Sequence, residues 1–225
     1  MGPSNDVVLE VYSEGKGDIG GEQGVVARPT FGVLPRLLHA LCDRPPNMLL
    51  KPYRTPFLQG KGWTQKVHFA KRQAYYNKSA GVVFVMDTEG EQKKRIEELA
   101  KGRDMAFPKL PMAVGAPHPC IEVWLLADPA AIKKGMDLTQ SPQIPEELES
   151  LPAPRQDRKR NPKTILAQCC GKGASELSAK EKDQIAAEIR DLQRLKNRCP
   201  ISFAPFAEEV EQRIRPLFFA PAHPT

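Results

Sequence analysis

Hydrophobic positions along this chain follow two rhythms, and the two alternate. Short unbroken apolar runs at Val7, Val8, Leu9 and Val11, and at residues 48–53, 81–86 and 110–114, read as buried strands. Between them the apolar residues recur every three or four positions, as amphipathic helices require. Residues 31–41 carry Leu34, Leu37, Leu38 and Leu41, and residues 61–78 carry Trp63, Val67, Ala70 and Ala74. A short, highly charged helix is expected over 91–101, another over the apolar stretch at 119–129, and one or two turns over 164–170. Residues 178–197 predict one continuous helix, started by a Ser178/Glu181 capping box and carrying Ile185, Ile189, Leu192 and Leu195 on one face. A last helix buries Phe203, Phe206, Val210, Ile214 and Leu217. Strand and helix in alternation predict an α/β fold with a mostly parallel, doubly wound sheet flanked by helices, plus a C-terminal helical extension. The fully apolar third run belongs at the centre of that sheet.

The chain's 225 residues suffice for one sizeable α/β core. The pattern divides it into a core over 1–140, a proline-rich charged insertion or linker over 141–163, and a helical region over 164–225 that packs on the core. A net charge of +6 favours an anionic partner without specifying one. The five cysteines form no CxxC or Cys/His finger spacing, which argues against a structural zinc site and for reduced thiols in a cytoplasmic protein. No apolar stretch approaches the ~20 residues that cross a bilayer, so no membrane partner is expected.

Chemistry concentrates where strands end. The first apolar run stops at Ser13-Glu14-Gly15 and a glycine-rich stretch to Gly24 follows, which is either a phosphate- or metal-approaching loop or an ordinary surface loop. The third run ends in Asp87-Thr88-Glu89-Gly90. Ligands bind at the carboxyl edge of open α/β sheets, so Glu14, Asp87 and Glu89 are expected to converge there. Glu122 stands amid apolar residues, as a carboxylate does when it is salt-bridged or functional. Arg155, Arg158, Lys159 and Arg160 form a basic run that is either a solvated loop or a phosphate contact. His68 reads as a helix packing or surface histidine. Clustered carboxylates in a basic protein suit a hard divalent cation, Mg²⁺ or Mn²⁺, and metal-assisted phosphoryl chemistry.

At these residues the chain resembles a known family. Glu14-Gly15-Lys16-Gly17-Asp18 resembles the EGxxD signature of Toprim domains, and Val83–Gly90 resembles their DxD(G) strand motif with Glu89 in place of the second aspartate. Residues 121–128, IEVWLLAD, together with Asn161-Pro162-Lys163 and the CPISFAPF segment at 199–206, resemble a bacterial Toprim-like family of unknown function. Its members are often encoded beside ABC- or SMC-type ATPases in defence clusters. The resemblance implies a metal-dependent nuclease acting on DNA or RNA, the effector of an ATPase-linked anti-phage system. Glu14 is then a metal ligand or general acid/base, and Asp87, Glu89 and Glu122 are metal ligands. Lys16 and Lys163 hold the scissile phosphate, and Asp18 caps or orients the loop.

Other readings stay open. A topoisomerase needs a nucleophilic tyrosine in a separate domain, and a bacterial primase usually adds a zinc-binding domain that these cysteines cannot build. A catalytically weak module that binds an ATPase or nucleic acid and only regulates is favoured by Glu89, which lengthens the carboxylate arm. A nucleotide-binding protein is disfavoured, since the glycine-rich loop matches neither GxGxxG nor GxxxxGK[ST].

Overall fold

A computed structural model describes residues 6–20, 22–28, 31–55, 58–173 and 176–219, with the side chains of Lys16 and Gly17 left out. Strands β1 (Val7–Ser13), β2 (Met48–Arg54), β3 (Gly81–Val85) and β4 (Met112–Gly115) form one sheet in the order β2-β1-β3-β4. Every pairing is parallel, with Leu9 opposite both Leu50 and Gly81, and Phe84 opposite Val114. The apolar run of β3 is buried throughout and lies between β1 and β4, as its composition predicts.

Each face of the sheet carries its own core. On one face Tyr12, Val82, Phe84 and Met112 meet α3 (Trp63–Tyr76) and α4 (Gln92–Arg103) through Val67, Ala70, Ala74 and Leu99. Gly102 allows these two helices to approach closely, since a Cβ there would stand 2.6 Å from the Thr64 carbonyl oxygen. On the opposite face Leu9, Val11, Val83, Val85 and Ala113 pack against α2 (Val33–Leu41), α5 (Glu122–Leu126), α6 (Pro129–Gly135), α7 (Pro162–Cys169), α8 (Ala179–Glu188), α9 (Leu192–Arg198) and α10 (Phe203–Glu209). A π-turn over Val210–Ile214 continues α10. Trp124 joins the early and late parts of this core. Its ring stacks on Phe206 at 5.1 Å between centroids, meets Phe203 edge-on at 5.3 Å, and its indole N–H donates to Ser202 Oγ at 2.8 Å. The C-terminal helices therefore share one core with β1.

Two local expectations are corrected. The helix over 178–197 is two helices. Ile189 takes extended backbone angles, and Asp191 caps α9 by accepting from the Arg194 N–H at 2.9 Å. The loop after Glu14 begins as a short helix, α1 (Lys16–Ile19), held by Asp18, whose carboxylate accepts from Gly15 N and Ser13 Oγ. The proline-rich segment is irregular yet anchored: Leu148 and Ala153 are buried, and Glu149 accepts from the backbone N–H groups of Ile201 and Ser202. Among the described residues no helix is long and apolar enough to cross a membrane.

Candidate metal centre

Parallel strands put all their carboxyl ends on one edge, and there the loops after β3 and β4 are laced together. Met86 N donates to Gly115 O at 3.0 Å, Thr88 N to Pro117 O at 3.1 Å, and Glu89 N to Pro119 O at 3.1 Å. The parallel ladder thus runs on past the strands and fixes Asp87 against the start of α5. Ile121 N then donates to Asp87 Oδ1 at 3.0 Å. One ligand atom from each of Asp87, Cys120 and Glu122 consequently lies within 4.8 Å of the other two.

Glu122 is 1 % exposed, a costly place for a carboxylate unless it is paired. Lys182, from α8, donates to its Oε1 at 2.5 Å. Its other oxygen, Oε2, is buried with no hydrogen-bond partner. The Cys120 thiol is close enough to the Glu122 carboxylate to help hold its charge, without meeting the geometry of a hydrogen bond to Oε2. Burial alone would raise the Glu122 carboxyl, but the Lys182 ammonium and then Lys163 overcome it and hold the group below its ordinary value. The sequence offered a salt bridge and a functional carboxylate as alternatives; the structure shows the salt bridge at Oε1 and leaves Oε2 unpaired.

The remaining acids are strained in the opposite sense. Burial, then the charges of Glu122, Asp18 and Glu14, push the Asp87 carboxyl well above its ordinary value. Asp18 is raised by burial and by Glu122, against the Lys182 ammonium and its bonds from Ser13 and Gly15. Glu14, half-buried, is raised by burial and by Glu89, against Arg95 and Lys66. Lys163 and Lys182 both rise despite burial, because Glu122 heads the charges that oppose it. Four carboxylates, Glu14, Asp18, Asp87 and Glu122, thus stand with the half-buried Lys163 and Lys182, while Arg95 and Lys66 act on Glu14.

The other sequence candidates surround this group. Glu89 sits exposed on a left-handed turn with φ of 49°, a conformation costing about 1–2 kcal/mol for a residue with a Cβ. It faces Glu14 electrostatically and pairs with Arg155 at 3.3 Å, so it lies at the rim. Arg158, Lys159 and Arg160 are exposed on a turn that the Asp157 carboxylate holds by accepting from Lys159 N and Arg160 N. The chain runs from that turn through the α7 cap, where Asn161 accepts from Thr164 N, directly to Lys163. The basic run therefore adjoins the acids at both ends, through Arg155 and through Lys163. The Lys16 side chain lies outside the described atoms. His68 is half-buried on α3, with Nδ1 unpartnered.

Sequence reasoning missed Lys182, Cys120 and Arg95. Lys182 carried no local signal, since only tertiary structure brings α8 against α5. The signal for Cys120 was its place two residues before a buried acid. Arg95 and Lys66 flank the Trp63 ring, with Arg95 Cζ at 5.5 Å and Lys66 Nζ at 4.5 Å from its centroid, and both act on Glu14. Compared with protein-family models, curated proteins and solved structures, the chain has no significant match.

Proposed function

We propose that this chain is a metal-dependent nuclease that cleaves phosphodiester bonds of DNA or RNA at the carboxyl edge of its sheet. The observation that carries the reading is the buried Oε2 of Glu122, which has no hydrogen bond of good geometry, set beside the partly exposed Asp87 in a cluster of carboxylates that push the Asp87 carboxyl up. An acceptor left bare in a buried place loses solvation that only a donor or a cation restores. The donor set fits a hard cation. Asp87, Glu122 and Glu14 offer the oxygens that Mg²⁺ or Mn²⁺ prefers, and the Cys120 thiol, raised well above its ordinary value by burial, stays protonated at neutral pH. Such an ion, when bound, supplies a Lewis acid and an acidified water.

The chain's own residues supply the rest. Lys163 and Lys182 keep Glu122 ionised and offset charge at the reacting phosphate. Glu14, with its carboxyl raised toward neutrality, is suited to accept and return a proton. The exposed basic turn at 158–160 is joined to the acids through Arg155 on one side and Lys163 on the other and is suited to hold a phosphodiester backbone. The resemblance to Toprim-like chains adds an ATPase partner and a defence role to this proposal. The outward pairing of Glu89 with Arg155 favours the second reading, a regulatory module. Purified protein incubated with single- and double-stranded DNA and RNA, with Mg²⁺ or Mn²⁺ and with an ATPase encoded beside it, decides between them. Cleavage that vanishes with chelator and with Asp87→Asn supports the nuclease; intact substrate with metal and ATPase supports the module.

A further inference from the structure

The acids at the sheet edge do not stand alone: a sulfur stands among them. We propose that Asp87, Cys120 and Glu122 form a mixed oxygen–sulfur site for a thiophilic divalent cation, Zn²⁺ or Cd²⁺, and that occupancy by such an ion shuts off the Mg²⁺-supported reaction. The inhibitory half rests on the nuclease reading; the binding half rests on geometry alone.

Three ligand atoms from these residues already lie within 4.8 Å of one another. A tetrahedral zinc with Zn–S of about 2.3 Å and Zn–O of about 2.0 Å needs its ligands about 3.5 Å apart, so contraction of roughly 1 Å completes the tripod. Rotamer adjustment of Asp87, the least buried of the three, supplies it. Glu122 Oε2 is the independent sign of a ligand: it is buried without a hydrogen bond of good geometry, with only the Cys120 thiol near the carboxylate, while Lys182 occupies Oε1. Asp87 and its neighbour in charge, Glu14, are both partly exposed. Soft thiolate selects zinc and cadmium over magnesium, and the oxygen pair accepts both classes. As the sulfur–metal bond forms, the Cys120 proton leaves to solvent and no electron is transferred. Asp87 and Glu122 cannot then serve a magnesium ion, and the two metals compete for one pair of carboxylates.

The probe is Cd²⁺ added to the metal-free protein, read by thiolate-to-metal charge-transfer absorption. Cys169 and Cys170 are adjacent and less deeply placed than Cys120, so the titration is repeated in the Cys169→Ser/Cys170→Ser protein. The band is expected to persist there and to vanish in Cys120→Ser, with Cd²⁺ affinity falling about a hundredfold, the share of one ligand in a structural zinc site. Circular dichroism checks that Cys120→Ser is folded. Asp87→Asn, which keeps the sulfur, should retain the band while weakening affinity. A band that survives Cys120→Ser, or none in the wild type, overturns the site. For the inhibitory half, the Zn²⁺ concentration that halves Mg²⁺-supported cleavage should rise at least about tenfold in Cys120→Ser; an unchanged value overturns it. A wild type that shows the Cd²⁺ band but cuts nothing rejects the nuclease and leaves the site standing.

Discussion

Lys182 and Glu122, 60 residues apart in the chain, meet through a 2.5 Å hydrogen bond that satisfies one carboxylate oxygen and leaves the other bare. The pair is nearly dry, with side chains 13 % and 2 % exposed. Breaking a buried pair from one side strands the other charge, which costs about 3–5 kcal/mol. Lys163 also supports Glu122 and lessens that cost. Lys182→Met should therefore destabilise the protein by about 3 kcal/mol in urea unfolding. Adding Glu122→Gln to Lys182→Met should recover most of the stability, because neither member of the pair then leaves its partner's charge stranded. A single variant as stable as the wild type would show that the pair is not coupled.

Asp87 reverses the usual acid behaviour. Its carboxyl is raised in the folded state, so the folded protein holds a proton that the unfolded chain has released. Folding stability then declines as pH climbs above the ordinary value of 3.8 toward the raised folded value. Asp87→Asn abolishes that dependence and retains an oxygen for the Ile121 N–H. Without metal its Tm should exceed that of the wild type at pH 7, with the gain fading as pH falls below about 4. With Mg²⁺ the order should reverse, because only the wild type gains a ligand. Scanning calorimetry with and without Mg²⁺ reads both.

Glu181 follows the ordinary sign. Its carboxylate is held down to about 2, first by Lys172 and then by the Ser178 N–H and hydroxyl, the reciprocal half of the capping box that starts α8. The stability it contributes is complete above the ordinary 4.5 and disappears as pH falls toward about 2. Glu181→Ala should cost about 1 kcal/mol near neutral pH. The variant and wild-type midpoints should merge in acid, which thermal unfolding followed by circular dichroism at a series of pH values can check.

The capping box at Ser178 was legible because it is a local arrangement, written in four consecutive residues. So was the sheet: β3 is apolar throughout, and a run with no polar face has to be covered on both sides. The break at Ile189-Arg190-Asp191 was hidden because Ile189, Leu192 and Leu195 keep a helical spacing across it, while one aspartate side chain starts a new helix. Glu10 was illegible for another reason. It sits in β1 fully buried, kept there by Tyr12, Asn77 and Ser79, of which the last two are more than sixty residues away. The candidate site divides in the same way. Glu14 and Asp87 follow from strand ends, which sequence reveals. The lysine that pairs with Glu122 depends on how α8 docks, which it does not.

The basic turn tests whether the acids serve a nucleic acid. Arg158, Lys159 and Arg160 are exposed, and their side chains make no hydrogen bond or ion pair among the described residues; the turn itself is built from backbone N–H groups on Asp157. Replacing all three with glutamine should leave the fold and the melting temperature unchanged. Arg155 is kept, because its pairing with Glu89 ties the segment to the rim of the acids. A side chain that neutralises one phosphate contributes about 0.9 to the slope of log affinity against log salt on duplex DNA, or about 0.7 on a single strand. The slope should become shallower by that amount for each of the three that touches the backbone. Binding is to be followed by fluorescence anisotropy with Ca²⁺ in place of Mg²⁺, at several salt concentrations. A shallower slope with weaker binding at low salt, and convergence with the wild type at high salt, is the expected pattern. Equal affinity and equal slope would place the nucleic acid elsewhere and return the turn to a solvated loop.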